Sequence, residues 1–148
     1  MILPTLPTTA KETQDTWICD EYVSYIEEIS VDYGVCPELI MAIIEHESSG
    51  QANVSNGNCK GLMQIYERYH KDRMQRLGVT DIYDPYGNIL VGTDYLMELA
   101  EEYEDLATVL MIYNGSSNAV SRGEAGNYTE YAKSIMERSA ELERLHGK

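Results

Sequence analysis

The side chain best placed for chemistry in this sequence is Glu47, because an apolar stripe leads up to it. Three isoleucines precede it at intervals of three or four residues, so all four positions share one face of a helix (Ile40, Ile43 and Ile44 with Glu47). Apolar surroundings and the partial negative charge of a helix C-terminus both disfavour a carboxylate. The pKa of Glu47 is therefore predicted to rise toward the range that a general acid needs at neutral pH. The alternative is a helix-end carboxylate that simply reaches solvent.

Other residues and motifs near Glu47 do not predict a catalytic or metal-binding site. Glu45 lies two residues earlier, points to roughly the opposite side of the helix and is predicted to be solvated. His46 and Glu47 begin a zinc-protease string, but Gly50 stands where its second histidine is needed. Residues 53–64 lack the acidic ligands of a calcium loop. His70 and His146 have no ligand-spaced partner and are interpreted as surface residues, so we predict neither a metal nor a cofactor.

The elements that must position Glu47 are predicted to be helices. Apolar periodicity indicates helices over residues 16–33, 37–48, 86–103, 106–113 and 128–145, and a further helix from 61 to 69 that extends as far as 77 in its longest form. Gly34 and Gly78 are expected helix ends, and Asp105 is an expected N-cap. Residues 51–60 and 114–126 are interpreted as loops, and strand signals are almost absent. The prediction is an all-α domain over residues 16–148, with helices around one buried central helix, after a Pro- and Thr-rich flexible tail or linker over residues 1–15.

The segment after Glu47 resembles the soluble lytic transglycosylases and the related goose-type lysozymes. That family has a Glu-Ser pair, a polar loop and then Gly-Leu-Met-Gln-Ile, which here are Glu47-Ser48 and residues 61–65. Further matches follow in the family's order: Asp84-Pro85, Asn88-Ile89, Gly92, Tyr95-Leu96, Tyr113-Asn114-Gly115 and Tyr131-Ala132. The resemblance spans about residues 36–135, roughly two-thirds of the chain. It implies a lysozyme-like transglycosylase domain.

The resemblance implies a role for each matching position. Glu47 matches the catalytic acid/base, and Tyr131 matches a tyrosine whose hydroxyl bonds that glutamate. Ser48 matches a residue that orients the glutamate or the sugar. The remaining matches are predicted to bind substrate along the groove: Gly61, Met63, Gln64, Tyr113 and Asn114. The chain departs from the family pattern at residues 58–59, 66–70 and 127–128. These differences affect the expected details of sugar binding and not the catalytic assignment of Glu47.

The reaction implied is cleavage of the β-1,4 bond between N-acetylmuramic acid (MurNAc) and N-acetylglucosamine (GlcNAc) in peptidoglycan, with formation of 1,6-anhydroMurNAc. Ordinary glycosidases use two carboxylates, whereas the resemblance supplies only Glu47. A hydrolytic muramidase remains the first alternative, and its second carboxylate could be Asp81, Asp84 or Glu124, among which no spacing decides. A catalytically weak peptidoglycan-binding or assembly module that uses the same groove is the second alternative.

The composition restricts the classes of molecule that this protein is expected to bind. A net charge of -14 argues against nucleic acid and against electrostatic docking on an anionic membrane. No run of 18 apolar residues and no signal peptide is visible, so the sequence is interpreted as a mature fragment or as a protein delivered by a phage, conjugation or secretion machine. We expect a monomer that acts on glycan strands outside the cytoplasm, at the cell wall or as a secreted protein. Three cysteines (Cys19, Cys36 and Cys59) permit at most one internal disulfide.

Overall fold

The computed structural model describes residues 15–148, so the predicted tail over residues 1–15 lies outside the described residues except for Asp15. The described chain is built from helices and one very small sheet. The α-helices are α1 (Asp20–Tyr33), α2 (Pro37–Ser48), α3 (Lys71–Leu77), α4 (Pro85–Glu102), α5 (Leu106–Tyr113), α6 (Ala119–Glu124) and α7 (Glu130–Leu145). The sheet consists of β1 (Ser55–Asn56), β2 (Cys59–Lys60) and β3 (Ile65–Tyr66), and a 3-10 helix follows it over Glu67–Tyr69.

Helix α2 is the buried central helix that the sequence predicts. Pro37 begins it at a position where its missing N–H costs nothing, and Ser49 ends it in the left-handed conformation with φ 54°. Nine of its twelve residues are buried, including every apolar one. Helix α7 makes the most extensive contact with it. Helix α5, whose residues 107–111 are all buried, packs against both α7 and α4. The all-α prediction is confirmed.

The prediction of a helix over residues 61–69 is wrong. Gly61 and Gln64 both adopt the left-handed region, with φ 79° and 51°, and no α-helix continues through such residues. Residues 55–66 instead form the antiparallel order β1-β2-β3, in which Cys59 faces Tyr66 and Lys60 faces Ile65. Two-residue strands are too short to produce an alternating pattern, so the sequence indicated a loop where β1 and β2 lie and a helix where β3 lies.

Several other helix boundaries also differ from those predicted from the sequence. Helix α1 begins at Asp20 rather than at residue 16, and the predicted loop over residues 114–126 contains α6. Asp105 caps α5 as predicted, because its carboxylate accepts a hydrogen bond from the Thr108 N–H. The cap of α7 is Thr129, whose hydroxyl accepts from the Ala132 N–H. Gly34 ends α1 in the left-handed conformation. In the part of the chain that is described, none of the helices has the length and apolar character of a membrane span.

Candidate active site

Glu47 lies in the last turn of α2, half-buried, at the end of the apolar stripe. Within residues 15–148 its carboxyl group has no hydrogen-bond or ion-pair partner. Burial alone raises its pKa from an ordinary 4.5 to about 7, which is the direction that the stripe of isoleucines predicted. A carboxyl group in this state is protonated for much of the time at neutral pH and can donate its proton.

The carboxyl group of Glu47 has neighbours from three other elements. Its charge contributes to raising the pKa of the Cys59 thiol on β2, of the Tyr113 hydroxyl at the end of α5 and of the Tyr131 hydroxyl on α7. Burial is the larger cause in all three cases. The fold thus gathers residues 47, 113 and 131 at one place, although 84 positions separate the first from the last.

Tyr131 is the most unusual of these neighbours. The residue is only 8% exposed, and its hydroxyl has no hydrogen-bond partner in the described chain. Its ring packs edge-on against the His46 ring, with centroids 5.0 Å apart. The resemblance implies a hydrogen bond from this hydroxyl to Glu47; that bond is not formed here. A buried hydroxyl without a partner costs about 1–3 kcal/mol, so its position calls for a reason other than stability.

Tyr113 connects the site to the loop that follows β2. Its hydroxyl donates a 2.8 Å hydrogen bond to the Met63 carbonyl oxygen, and the Met63 N–H donates a 2.7 Å hydrogen bond to Asn88 Oδ1. The Met63 side chain itself is fully buried and packs directly on Gly92. The Met63 side chain is therefore closed to substrate in this conformation, whereas its backbone N–H and carbonyl link Asn88 to Tyr113.

Asn88 is a functional position to which sequence reasoning assigned no role. It is fully buried in α4, and its Nδ2 donates to the carbonyl oxygens of Lys60 (2.9 Å) and Ile82 (2.8 Å). A Cβ at Gly61 would stand 2.3 Å from that nitrogen. The missing side chain of Gly61 thus makes room for Asn88, a packing reason different from the expected approach of a sugar. The Asn-Ile pair in the sequence marked the position but not this use of it.

Gln64 holds the loop together rather than presenting a free amide. Its Nε2 donates to the carbonyl oxygens of Val54 (3.2 Å) and Gly61 (2.9 Å), and its Oε1 accepts from the Asn56 N–H (3.1 Å). Both amide protons are already used. Sugar binding through this amide would need one of these bonds to be exchanged, so the predicted direct pairing is replaced by a role in shaping the loop.

Ser48 and Asn114 occupy contrasting positions. Ser48 is buried, and its hydroxyl donates a 3.0 Å hydrogen bond to the Ile44 carbonyl oxygen within α2. Its single proton is therefore spent inside the helix. Asn114 follows the end of α5 with its side chain exposed, and it is open to a ligand.

The prediction that Glu45 is solvated is wrong. Glu45 is 7% exposed and is held by Arg138 of α7, with Nε–Oε2 and Nη2–Oε1 distances of 2.6 and 3.0 Å. The Thr16 hydroxyl donates a third hydrogen bond, at 2.6 Å. The direction of Glu45 was correctly derived, but that side of α2 is covered by α7 and the chain before α1.

The histidine and cysteine predictions are resolved in part. His70 is buried rather than on the surface, packs on the Tyr95 ring at 4.5 Å, and has a pKa lowered by burial and by Arg73. His146 is exposed, and its Nδ1 lies 2.9 Å from Glu38 Oε1. That contact belongs to a cluster near the start of α2, in which ligand-type atoms of Cys36, Glu38 and Glu143 lie within 4.8 Å of one another. All three cysteines are free thiols.

Comparisons with known proteins find relatives for the part of the chain that contains Glu47. A model of the transglycosylase SLT domain matches residues 24–136, a range that includes Glu47, Tyr113 and Tyr131. A transglycosylase of Enterobacteria phage PRD1 is 36% identical over 95 residues, which are 64% of this chain and 34% of the relative. Membrane-bound lytic murein transglycosylase C of Shigella sonnei is 32% identical over 118 residues, which are 69% of this chain and 33% of the relative. The chain thus spans about a third of the length of these curated relatives.

One solved structure shows the same fold. An inactive mutant of the lytic transglycosylase Slt from Pseudomonas aeruginosa superimposes with a TM-score of 0.69 over 84% of this chain and 24% of that chain, at 14% identity. A family model that covers well over half of the chain, together with a shared fold and the ordered motifs from Glu47 to Tyr131, leads to one conclusion: the chain belongs to the transglycosylase SLT domain family.

Proposed function

We propose that this chain is a peptidoglycan lytic transglycosylase that cleaves the MurNAc–GlcNAc β-1,4 bond and forms 1,6-anhydroMurNAc, with Glu47 as its acid/base. The observation that carries the proposal is the half-buried Glu47 carboxyl, which has no partner among residues 15–148 and whose pKa is raised to about 7. At neutral pH such a group is populated in both of its protonation states, so one residue can give a proton and later take one back.

The reaction divides into two proton transfers at Glu47. The protonated carboxyl donates its proton to the glycosidic oxygen, the C1–O bond of MurNAc breaks, and GlcNAc leaves with a new hydroxyl. The MurNAc acetamido oxygen assists the departure from C1. The Glu47 carboxylate then removes the proton of the C6 hydroxyl, whose oxygen bonds to C1 and closes the anhydro ring. No water is consumed, and Glu47 ends protonated as it began.

The surroundings of Glu47 favour this reaction over hydrolysis. A hydrolytic enzyme with two carboxylates holds the second one close enough to direct water or attack the sugar. Among the residues that the structure describes, no neighbouring charge contributes to the pKa of Glu47, whose shift is caused by burial. Asp81, one of the candidate partners, instead accepts a hydrogen bond from the Tyr83 N–H in its own exposed turn. The Tyr131 hydroxyl, which is buried near Glu47 and has no partner in the described chain, would hold the carboxylate after its first proton is gone.

The proposal is tested by digesting purified peptidoglycan and identifying the fragments by mass spectrometry. We expect anhydromuropeptides from the wild type and none from Glu47→Gln, which keeps the shape but removes the acid. Glu101→Gln, an exposed position on α4, is the matched control and is expected to be fully active. Fragments with only reducing ends would establish the hydrolytic muramidase instead. Glycan binding by both the wild type and Glu47→Gln, with no fragments from either, would establish the binding module.

The proposal extends to the domain boundary, the oligomeric state and the location of the protein. We propose that residues 16–148 are the catalytic domain, that residues 1–15 are a tail or linker, and that the domain is a monomer acting on the cell wall outside the cytoplasm. Its relatives include a phage transglycosylase and a membrane-bound murein transglycosylase, each about three times as long as the matched part. Such a domain suits a phage, conjugation or secretion machine that must open the wall locally. Light scattering in solution tests the monomer, and limited proteolysis tests the boundary near residue 15.

A further inference from the structure

Two stacked tyrosines follow β3, in the segment where the sequence departs from the family pattern. The rings of Tyr66 and Tyr69 have centroids 4.5 Å apart and planes inclined by 33°. Tyr66 is half-buried, whereas Tyr69 is 79% exposed. A ring so exposed gains little from burial in the fold, and together with Tyr66 it places a stacked aromatic pair at the surface.

The pair lies on the same side of the small sheet as the environment of Glu47. Tyr66 is the direct cross-strand partner of Cys59, and directly opposed residues share a face of the sheet at a distance of roughly 5 Å. The Cys59 thiol is in turn close enough to Glu47 for the carboxylate charge to act on it. Tyr66 is therefore linked to the neighbourhood of Glu47 through Cys59, and Tyr69 stacks on Tyr66.

The segment that presents Tyr69 is anchored on both sides. Lys60 of β2 forms a 2.9 Å salt bridge with Glu67 at the start of the 3-10 helix. After Tyr69, His70 is buried against Tyr95, and its N–H donates to the Glu67 carbonyl oxygen at 3.0 Å. An exposed ring between two anchored neighbours loses little further freedom when a ligand binds, which is the condition for a useful contact residue.

We propose that Tyr66 and Tyr69 form an aromatic platform on which a sugar ring of the peptidoglycan strand stacks, beyond the bond that Glu47 cleaves. The flat face of a tyrosine is apolar and its hydroxyl is polar, which matches the C–H face and the hydroxyl rim of a pyranose. The platform rests on the proposed function for its ligand and extends it by a binding position that the family motif does not contain.

Binding is measured first, in a background that cannot cleave. Glu47→Gln and Glu47→Gln/Tyr69→Ala are compared by sedimentation with insoluble peptidoglycan, and we expect the second change to weaken binding by about 3- to 10-fold. Glu47→Gln/Tyr69→Phe retains the stacking face and is expected to bind within about twofold of Glu47→Gln. Glu47→Gln/Leu145→Ala removes an exposed apolar side chain at the end of α7 and is the control for a general loss of apolar surface.

Activity on glycan oligomers of defined length separates a platform from a structural role. In the Tyr69→Ala enzyme we expect KM to rise for long oligomers with kcat retained, and no change for the shortest cleavable oligomer, because that substrate does not reach the platform. A lowered activity on oligomers of every length would show that Tyr69 acts on the fold of the site instead, and circular dichroism would register the accompanying loss of structure.

The outcomes for the platform and for the proposed function remain distinct. An active wild type with an unaffected Tyr69→Ala variant, in both binding and KM, overturns the platform and leaves the function intact. A wild type that releases no fragments overturns the function, while the binding comparison in the Glu47→Gln background still decides the platform. Equal losses in the Phe and Ala variants would assign the effect to the Tyr69 hydroxyl and refute stacking.

Discussion

Replacing Glu47 by Gln is expected to stabilise the folded domain while it abolishes cleavage, and the stabilisation should grow with pH. The Glu47 carboxyl has no partner within residues 15–148, and burial raises its pKa from 4.5 to about 7. Folding therefore favours the protonated form and penalises the carboxylate. Gln has nearly the same shape as the protonated acid and carries no charge at any pH, so it escapes this penalty.

The magnitude follows from the two pKa values. A group whose pKa is raised on folding contributes its full share of stability below its unfolded pKa, and that share is lost as pH rises through the folded pKa. For Glu47 the loss runs from about pH 4.5 to about pH 7 and amounts to about 3 kcal/mol. For a domain of this length, that corresponds to a difference of roughly 6–12 °C in melting temperature.

The assay compares wild type and Glu47→Gln by urea unfolding at intervals from pH 4 to pH 8, at constant ionic strength. The difference in free energy of unfolding isolates Glu47, because every other titrating group, including Glu38 with its pKa lowered to about 2, is common to both proteins. We expect the difference to be smallest at pH 4, to rise through the interval and to level off above pH 7.

A difference that stays constant from pH 4 to pH 8 would refute the reasoning, because it would mean that Glu47 titrates as it does in water. A difference that falls as pH rises would show that the carboxylate gains a partner in solution. In either case the role of Glu47 as an acid at neutral pH would lose its physical basis, even if the Gln variant were inactive.

Three further predictions concern the same site and the pair behind it. The rate of anhydromuropeptide release should fall above about pH 7, approaching tenfold per pH unit, as Glu47 loses the proton it must donate; a profile that is flat to pH 9 would contradict this. Arg138→Met leaves the Glu45 carboxylate buried without its partner and should lower the free energy of unfolding by roughly 2–4 kcal/mol, less than for a fully buried pair because Arg138 is 23% exposed. Adding Glu45→Gln to Arg138→Met should restore most of the lost free energy of unfolding in denaturant titrations. A double variant no more stable than Arg138→Met would refute the pairing. Tyr131→Phe removes a buried hydroxyl without a partner, so it should leave stability equal or up to about 1 kcal/mol higher, while activity drops at least tenfold; unchanged activity would remove Tyr131 from the mechanism.

Several features of the chain can be predicted from short stretches of sequence. The isoleucines before Glu47 predicted both a buried helix and a raised pKa, because helical spacing is a local property and burial of that face follows from its composition. Pro37, Gly34 and Asp105 marked helix ends correctly for the same reason: each acts on backbone groups within a few residues.

Contacts between distant segments could not be predicted from the sequence. Glu45 was placed on the correct side of α2, but its burial depends on Arg138, which is 93 residues away. The chain of bonds from Asn88 through the Met63 backbone to Tyr113 likewise joins three elements.

What the sequence determined by itself was therefore most of the helical pattern, the burial of the helix that carries Glu47, and the family. What only the tertiary structure decided was how the polar groups are satisfied. Buried Asn88 and half-buried Gln64 use their amide groups in hydrogen bonds to backbone groups, so both side chains hold the loop that contains Met63 in place. Local preferences act over a few residues, whereas a buried polar group must find its partner wherever the fold brings one.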